Sequence, residues 1–245
     1  ARGSSVRPSR SSARRCGSGP RRPRSTGCWD CSGGDVTATT AVIWARGVED
    51  GDIAVEVRQV GGGPALAAAI PVARQNDLTG KVALSGLTPG TSYRYRLQSG
   101  PATLTGRFVT APAPEAAGRI VFLWSGDLGG GGFCRRANGG YPILRTMAGR
   151  PADFFLFVGD TIYADIPCDR PGMVRGADFV ATSLGGFRAR HRYNREDPYV
   201  QEFFRGTSVY AIWDDHEVRN DFDGPTEPLM PAGRRAFFEY WPIAS

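Results

Sequence analysis

Three short apolar runs limit what this chain can fold into: "RIVFLWSGD", "DFFLFVGD" and "SVYAIWDDHE", each closed by acidic residues. Between them lie helix-like stretches, "YPILRTMAGR" and, after a long Gly-containing loop, "GGFRARHRYNREDPYVQEFFRGT". Continuous apolar strands alternating with helices predict a parallel sheet covered on both faces. The acidic clusters then share one position, the carboxyl end of a strand, where open α/β sheets carry their active sites. Within the second helical stretch, Asp197-Pro198 reads as a helix start, with Tyr199, Phe203 and Phe204 as its buried stripe.

Asp127 follows the first run, Asp160 and Tyr163 the second, and Asp215 and His216 the third. If the strands are neighbours, roughly 4.8 Å apart, side chains at their tips can converge on one point. A glycine precedes Asp127 and Asp160 and permits a sharp exit from the strand. Burying such a group of charges without a counter-charge is costly, so something must neutralise it. Aspartate oxygens joined by a tyrosine suit a hard cation. Helix and turn capping is the ordinary use of a strand-end aspartate, but three acidic ends with Tyr and His at fixed offsets are poorly explained by capping alone.

Upstream the pattern changes. "TTAVIWARG", "DIAVEVRQV", "GKVALSGL", "TSYRYRLQS" and "LTGRFVTAP" alternate with period two between Gly, Pro and Asp turns. They predict a small antiparallel β-sandwich over residues 35–112, followed by a linker, "TAPAPEAAG", and an α/β domain over residues 118–245. The region "GLTPGTSYRYRL" is similar to the part of fibronectin type III domains where a turn feeds a strand with a buried tyrosine.

Residues 1–34 carry eight arginines against Asp30, a net +7; subtracting this from the whole-chain +6 leaves −1 for the rest. This segment is expected to be a disordered, Arg-rich tail. The basic balance therefore does not make the globular part a nucleic-acid binder. Tail-mediated nucleic-acid binding would show a steep salt dependence lost on deleting residues 1–34. Of five cysteines, Cys28 and Cys31 have no second pair to complete a zinc site; Cys134 and Cys168 are open to a disulfide, a metal thiolate or free thiols, with the disulfide preferred. No apolar run reaches the roughly 20 residues a transmembrane helix needs.

The motifs "GDTIYAD" and "WDDHEVRND" resemble the PhoD-like alkaline phosphatases, within the calcineurin-like metallophosphoesterase superfamily, and "GDTIYAD" also resembles a segment of purple acid phosphatases. The resemblance implies a fibronectin III-like β-sandwich followed by the N-terminal half of an α/β/α metallophosphoesterase sandwich. It implies Asp127, Asp160, Tyr163 and Asp215 as metal ligands, with Asp160 bridging two metals and Asp215 in the place of a usual asparagine. It implies His216 as the catalytic histidine near the phosphate, and Asn220 is taken as a candidate substrate contact. Ferric iron with calcium, hydrolysis of small phosphate mono- or diesters by a metal-activated hydroxide, a secreted or periplasmic location and a monomeric state are likewise implied.

Two departures stand out. The first motif lacks the Asp-x-His of many superfamily members, and the chain has only two histidines, His191 and His216. His191 is expected to be a surface or packing residue. The chain is therefore expected to be a fragment of its parent, leaving a bare sheet face and an unpaired edge. The competing expectation is a non-catalytic secreted β-sandwich binding protein with a vestigial metal site.

Overall fold

The computed structural model describes residues 28–244, so most of the expected tail, residues 1–27, lies outside the described residues. Two sheets dominate. Four antiparallel strands, β3 (Gly51–Gln59), β4 (Leu66–Val72), β6 (Ser92–Ser99) and β7 (Ala102–Val109), lie in the order β4-β3-β6-β7. Their alternating sequence does what period two requires: in β6, Tyr93, Tyr95 and Leu97 point inward while Arg94 and Arg96 face out.

The second sheet has six strands and two characters. β1 (Cys28–Gly34), β2 (Ala41–Gly47) and β5 (Thr79–Leu84) pair antiparallel and close the sandwich. β8 (Phe122–Ser125), β9 (Phe154–Val158) and β10 (Ser208–Ile212) continue the same sheet as parallel strands, in the order β5-β2-β1-β10-β9-β8. β1 joins the halves, meeting β10 in parallel at Gly34 and Val209. This corrects the expectation for the end of the tail: residues 28–34 form a central strand. The sandwich and the α/β region thus share one continuous six-stranded sheet.

One core fills the sandwich, with Ile43, Val55, Ile70, Tyr95 and Phe108 among its buried members. The other lies between the six-stranded sheet and helices α1 (Pro142–Ala148), α3 (Pro198–Gly206) and α4 (Met230–Tyr240). Phe155 and Phe157 from β9 meet Phe203 and Phe204 from α3 there, and Trp44 reaches in from β2. α3 starts at the expected point, with Asp197 accepting from the amides of Tyr199 and Val200 at 2.9 and 3.2 Å. Phe203 and Phe204 are buried as expected, and Val200 joins them, while Tyr199 is half-buried. The longest helix, α2 (Leu184–Arg195), packs mainly against α4.

The parallel strands are covered on one face only. On the other, Trp124 is 68% exposed, Ile212 60%, Phe122 48% and Val158 41%. The expectation of cover on both faces therefore fails for this chain, and the bare face foreseen for a sheet of three parallel strands is present. β8 forms the open edge.

Candidate metal centre

The parallel ladder places β9 between β8 and β10, so the three polar strand ends meet. Asp127 and Asp160 adopt left-handed backbone conformations, with φ of 58° and 53°, which turn the chain sharply away from the strand. The two turns are laced together: the Leu128 amide donates to the Asp160 carbonyl at 2.9 Å and the Asp127 amide to that of Gly159 at 3.4 Å. Gly159 is required here. Its φ is 99°, and a Cβ on it would stand 2.5 Å from the Asp214 Cβ.

Around this frame the side chains converge. Ligand atoms of Asp160, Asp215 and His216 lie within 4.8 Å of one another. The His216 amide donates to Asp160 Oδ1 at 3.4 Å. The Tyr163 hydroxyl donates to Asp127 Oδ1 at 2.7 Å, and its ring packs 4.2 Å from the His216 imidazole. All five expected metal and catalytic residues are therefore in one neighbourhood. Asn220 sits on its exposed rim, its amide side chain donating to Asp221 and its backbone N–H to Asp165 Oδ2 at 2.8 Å.

Four residues outside the expected set hold this geometry. Asp165 Oδ1 pairs with His216 Nδ1 at 2.7 Å. Glu217, fully buried, accepts from both the amide and hydroxyl of Thr161 at 2.6 Å and from the Asp214 amide at 2.9 Å, tying the β9 and β10 loops. Arg190 on α2 donates to the carbonyls of Tyr163, Ala177 and Ile166, and Asn194 donates to that of Thr161 at 2.9 Å. Asp165 and Glu217 stand inside "GDTIYAD" and "WDDHEVRND", so the motifs contained them; nothing in the sequence separated supporting acids from ligating ones.

The electrostatics are those of an uncompensated acidic cluster. Among the described residues no arginine or lysine ion-pairs with Asp127, Asp160 or Asp215. Burial raises the Asp160 carboxyl, opposed by the Tyr163 hydroxyl and by His216. Burial, then hydrogen bonding to Asp127 and Asp160, pushes the Tyr163 phenol well up. At His216 burial disfavours the cation, but the hydrogen bond and charge of Asp165 outweigh it and raise the imidazole. A disulfide between Cys134 and Cys168 ties the loop after β8 to the loop after β9. His191 is not part of this centre; it is buried and stacks on Tyr240 with centroids 5.1 Å apart.

Comparison with known proteins places this arrangement. Residues 125–245 match the PhoD-like phosphatase family, and residues 24–112 match the PhoD-like phosphatase N-terminal domain. No curated protein sequence matches the chain. The solved structure described as "Structure of PhoD" superposes with a TM-score of 0.75 at 22% identity, covering 88% of this chain and 46% of that one. That likeness speaks for the fold, and the chain spans about half the length of that relative. The fibronectin type III domain of human collagen alpha-1(XX) aligns at a TM-score of 0.30 and 23% identity, covering 42% of this chain and 95% of that one, too weakly to carry argument. On the two family matches, which together run across both halves of the continuous sheet, the chain belongs to the PhoD-like phosphatase family.

Proposed function

We propose that the convergent cluster belongs to the metal centre of an enzyme that hydrolyses phosphate mono- or diesters. The observation that carries this is the meeting of Asp160, Asp215 and His216, with Asp127 joined through Tyr163, and no arginine or lysine ion-paired to these acids among the described residues. The donor set fits a hard cation: Asp127, Asp160, Asp215 and the Tyr163 phenol supply oxygen ligands. Ferric iron with calcium is the pair we assign, following the family resemblance. Bound there, such cations supply positive charge that polarises a phosphoryl oxygen and lowers the pKa of water.

The chain's own groups then divide the remaining work. Asp165 fixes His216 through Nδ1, which leaves Nε2 to hydrogen-bond a phosphoryl oxygen or give a proton to the departing alkoxide. Until a cation is bound, Tyr163, its phenol pushed up by burial and by its two carboxylate neighbours, donates to Asp127; as an iron ligand it would give up that proton and bind as the phenolate. Asn220 on the rim is assigned as a contact for the phosphoryl group. The disulfide supports export to an oxidising compartment, and among the described residues no helix is long and apolar enough to cross a membrane.

Asp160→Ala tests the assignment in the full-length protein. Loss of bound iron and calcium by elemental analysis is expected, with a fall in nitrophenyl phosphate turnover above the ~100-fold typical of supporting residues. Unchanged turnover in the variant refutes the reading. A wild-type protein without stoichiometric metal would favour a non-catalytic secreted binding protein instead.

A further inference from the structure

Toward the amino end of the parallel strands, away from the acidic tips, the molecule collects positive charge. Arg58 on β3 is the register partner of Arg94 on β6, which is in turn the partner of Arg107 on β7. All three stand on the outer face, because Val57, Tyr93 and Phe108 beside them point into the core. With strands roughly 4.8 Å apart, the three stems form a line across the sheet. Like charges placed directly opposite one another destabilise a sheet, so such a row calls for a counter-charge.

The molecule supplies little of it. Arg58 pairs with Glu56 at 2.9 Å. Arg107 Nε donates to the neutral Gly206 carbonyl at 2.9 Å, which pins its guanidinium at the junction with α3. The Arg94 guanidinium has no hydrogen bond or ion pair among the described residues. Arg94 and Arg107 form the shared wall of two adjoining clefts of about 570 and 800 Å³. The first opens toward Arg119, the second toward Arg58 and Arg205. The one carboxylate of the first cleft, Asp153, is already engaged by the Val121 amide at 2.8 Å. Across both clefts six arginines face three carboxylates, a balance of +3, on a globular part whose total is −1.

We propose that this trough is a second binding site, distinct from the metal centre, for a linear polyanion carrying closely spaced phosphate or sulfate groups. A guanidinium fork matches such oxyanions in two-point hydrogen bonding. A single oxyanion would neutralise only part of the row, whereas a chain crossing the Arg94–Arg107 wall meets charge in both clefts, with Arg119 at one end and Arg58 at the other.

Titration calorimetry with inorganic tripolyphosphate and with a sulfated oligosaccharide tests this, in chelator and in an Asp160→Asn background so that the acidic centre takes no part. The proposal expects at least one of the two to bind, and the tighter of them identifies the source of the anion. Arg94→Gln/Arg107→Gln should weaken binding at least 10-fold and lower the slope of log affinity against log salt by about 2. Because residues 1–27 are unchanged in every variant, any affinity from the Arg-rich tail would survive these substitutions. Arg94→Gln alone, at a position with no partner to lose, should keep or raise the melting temperature while still weakening binding, and Arg94→Lys should retain most of it. Binding by neither probe, or equal affinity in wild type and double variant, would overturn the proposal.

Discussion

Asp30 on β1 and Asp160 after β9 are acids buried by the same sheet, 1% and 8% exposed, yet the molecule treats them differently. Asp30 is given a cation. Arg195 of α2 lies 3.4 Å from it, and the guanidinium is enclosed by Trp44, Phe204 and Trp241, with ring centroids 4.4 to 5.0 Å away. Burial still pushes the Asp30 carboxyl up to about 6, against the pull of Arg195. Asp160 is given instead more acid, in Asp215, and a single backbone donor, the His216 amide, while the Tyr163 hydroxyl beside it donates to Asp127. Where a charge serves only to join β1 to the helical layer, the fold brings its own counter-ion. Where three strand ends meet, it leaves the position open, which is what a bound cation requires.

The strongest test of that difference is to remove the internal cation. Arg195→Met leaves Asp30 buried without its guanidinium and should cost about 3–5 kcal/mol in chemical denaturation, the range for breaking a buried pair from one side. Asp30→Asn/Arg195→Met should recover much of this loss, because no charge then remains to be neutralised. If single and double variants unfold at the same denaturant concentration, the pair is not what compensates Asp30, and the contrast with Asp160 loses its basis.

At the metal centre the corresponding experiment should change chemistry and spare the fold. Asp165 is half-buried and touches His216 through one oxygen and the Asn220 amide through the other. Asp165→Asn keeps the shape and removes the charge that orients the imidazole. Turnover or metal affinity should fall about 10–100-fold, with the melting temperature nearly unchanged. A variant that melts early but turns over normally would make Asp165 a structural acid of the Asp30 kind.

How much of this was readable beforehand follows from where the information lies. The acidic tips were legible because residue type and strand end coincide in "GDTIYAD" and "WDDHEVRND", and neighbouring strands bring them together as expected. β1 was not legible: "CWDCSGG" has no period-two alternation, and it becomes a strand because β2 and β10 offer hydrogen-bonding edges on both sides of it. The burial of Glu217 beside a more exposed Asp214 was equally hidden, since nearby acids look alike until Thr161 arrives from the loop after β9. The continuous apolar runs suggested cover on both faces, but Trp124 and Ile212 remain exposed because the helices all gather on one side. Local pattern reported the elements; the partners that decide burial came from far along the chain.

His191 offers the finest test, because it is a buried base that received neither a counter-ion nor a metal. Burial first, then the neighbouring Arg195 and Arg190, holds its imidazole down at about 3. The folded protein keeps the ring neutral, stacked on Tyr240, while the unfolded chain takes up a proton below about 6.5. The unfolded state therefore binds more protons, so this residue's contribution is intact above pH 6.5 and is lost as pH falls toward 3, by roughly 1.4 kcal/mol per pH unit. Asp30 works in the opposite sense: its raised carboxyl makes the folded state the better proton binder between about 3.8 and 6, so its contribution declines as pH rises through that window. Comparing wild type with His191→Phe, which preserves the stack on Tyr240, cancels the Asp30 contribution and leaves the histidine alone. The difference in unfolding free energy should be constant near pH 7 and above, and grow in favour of the variant toward pH 4. A difference independent of pH would mean that the ring is protonated inside the fold, and that a counter-charge reaches it after all.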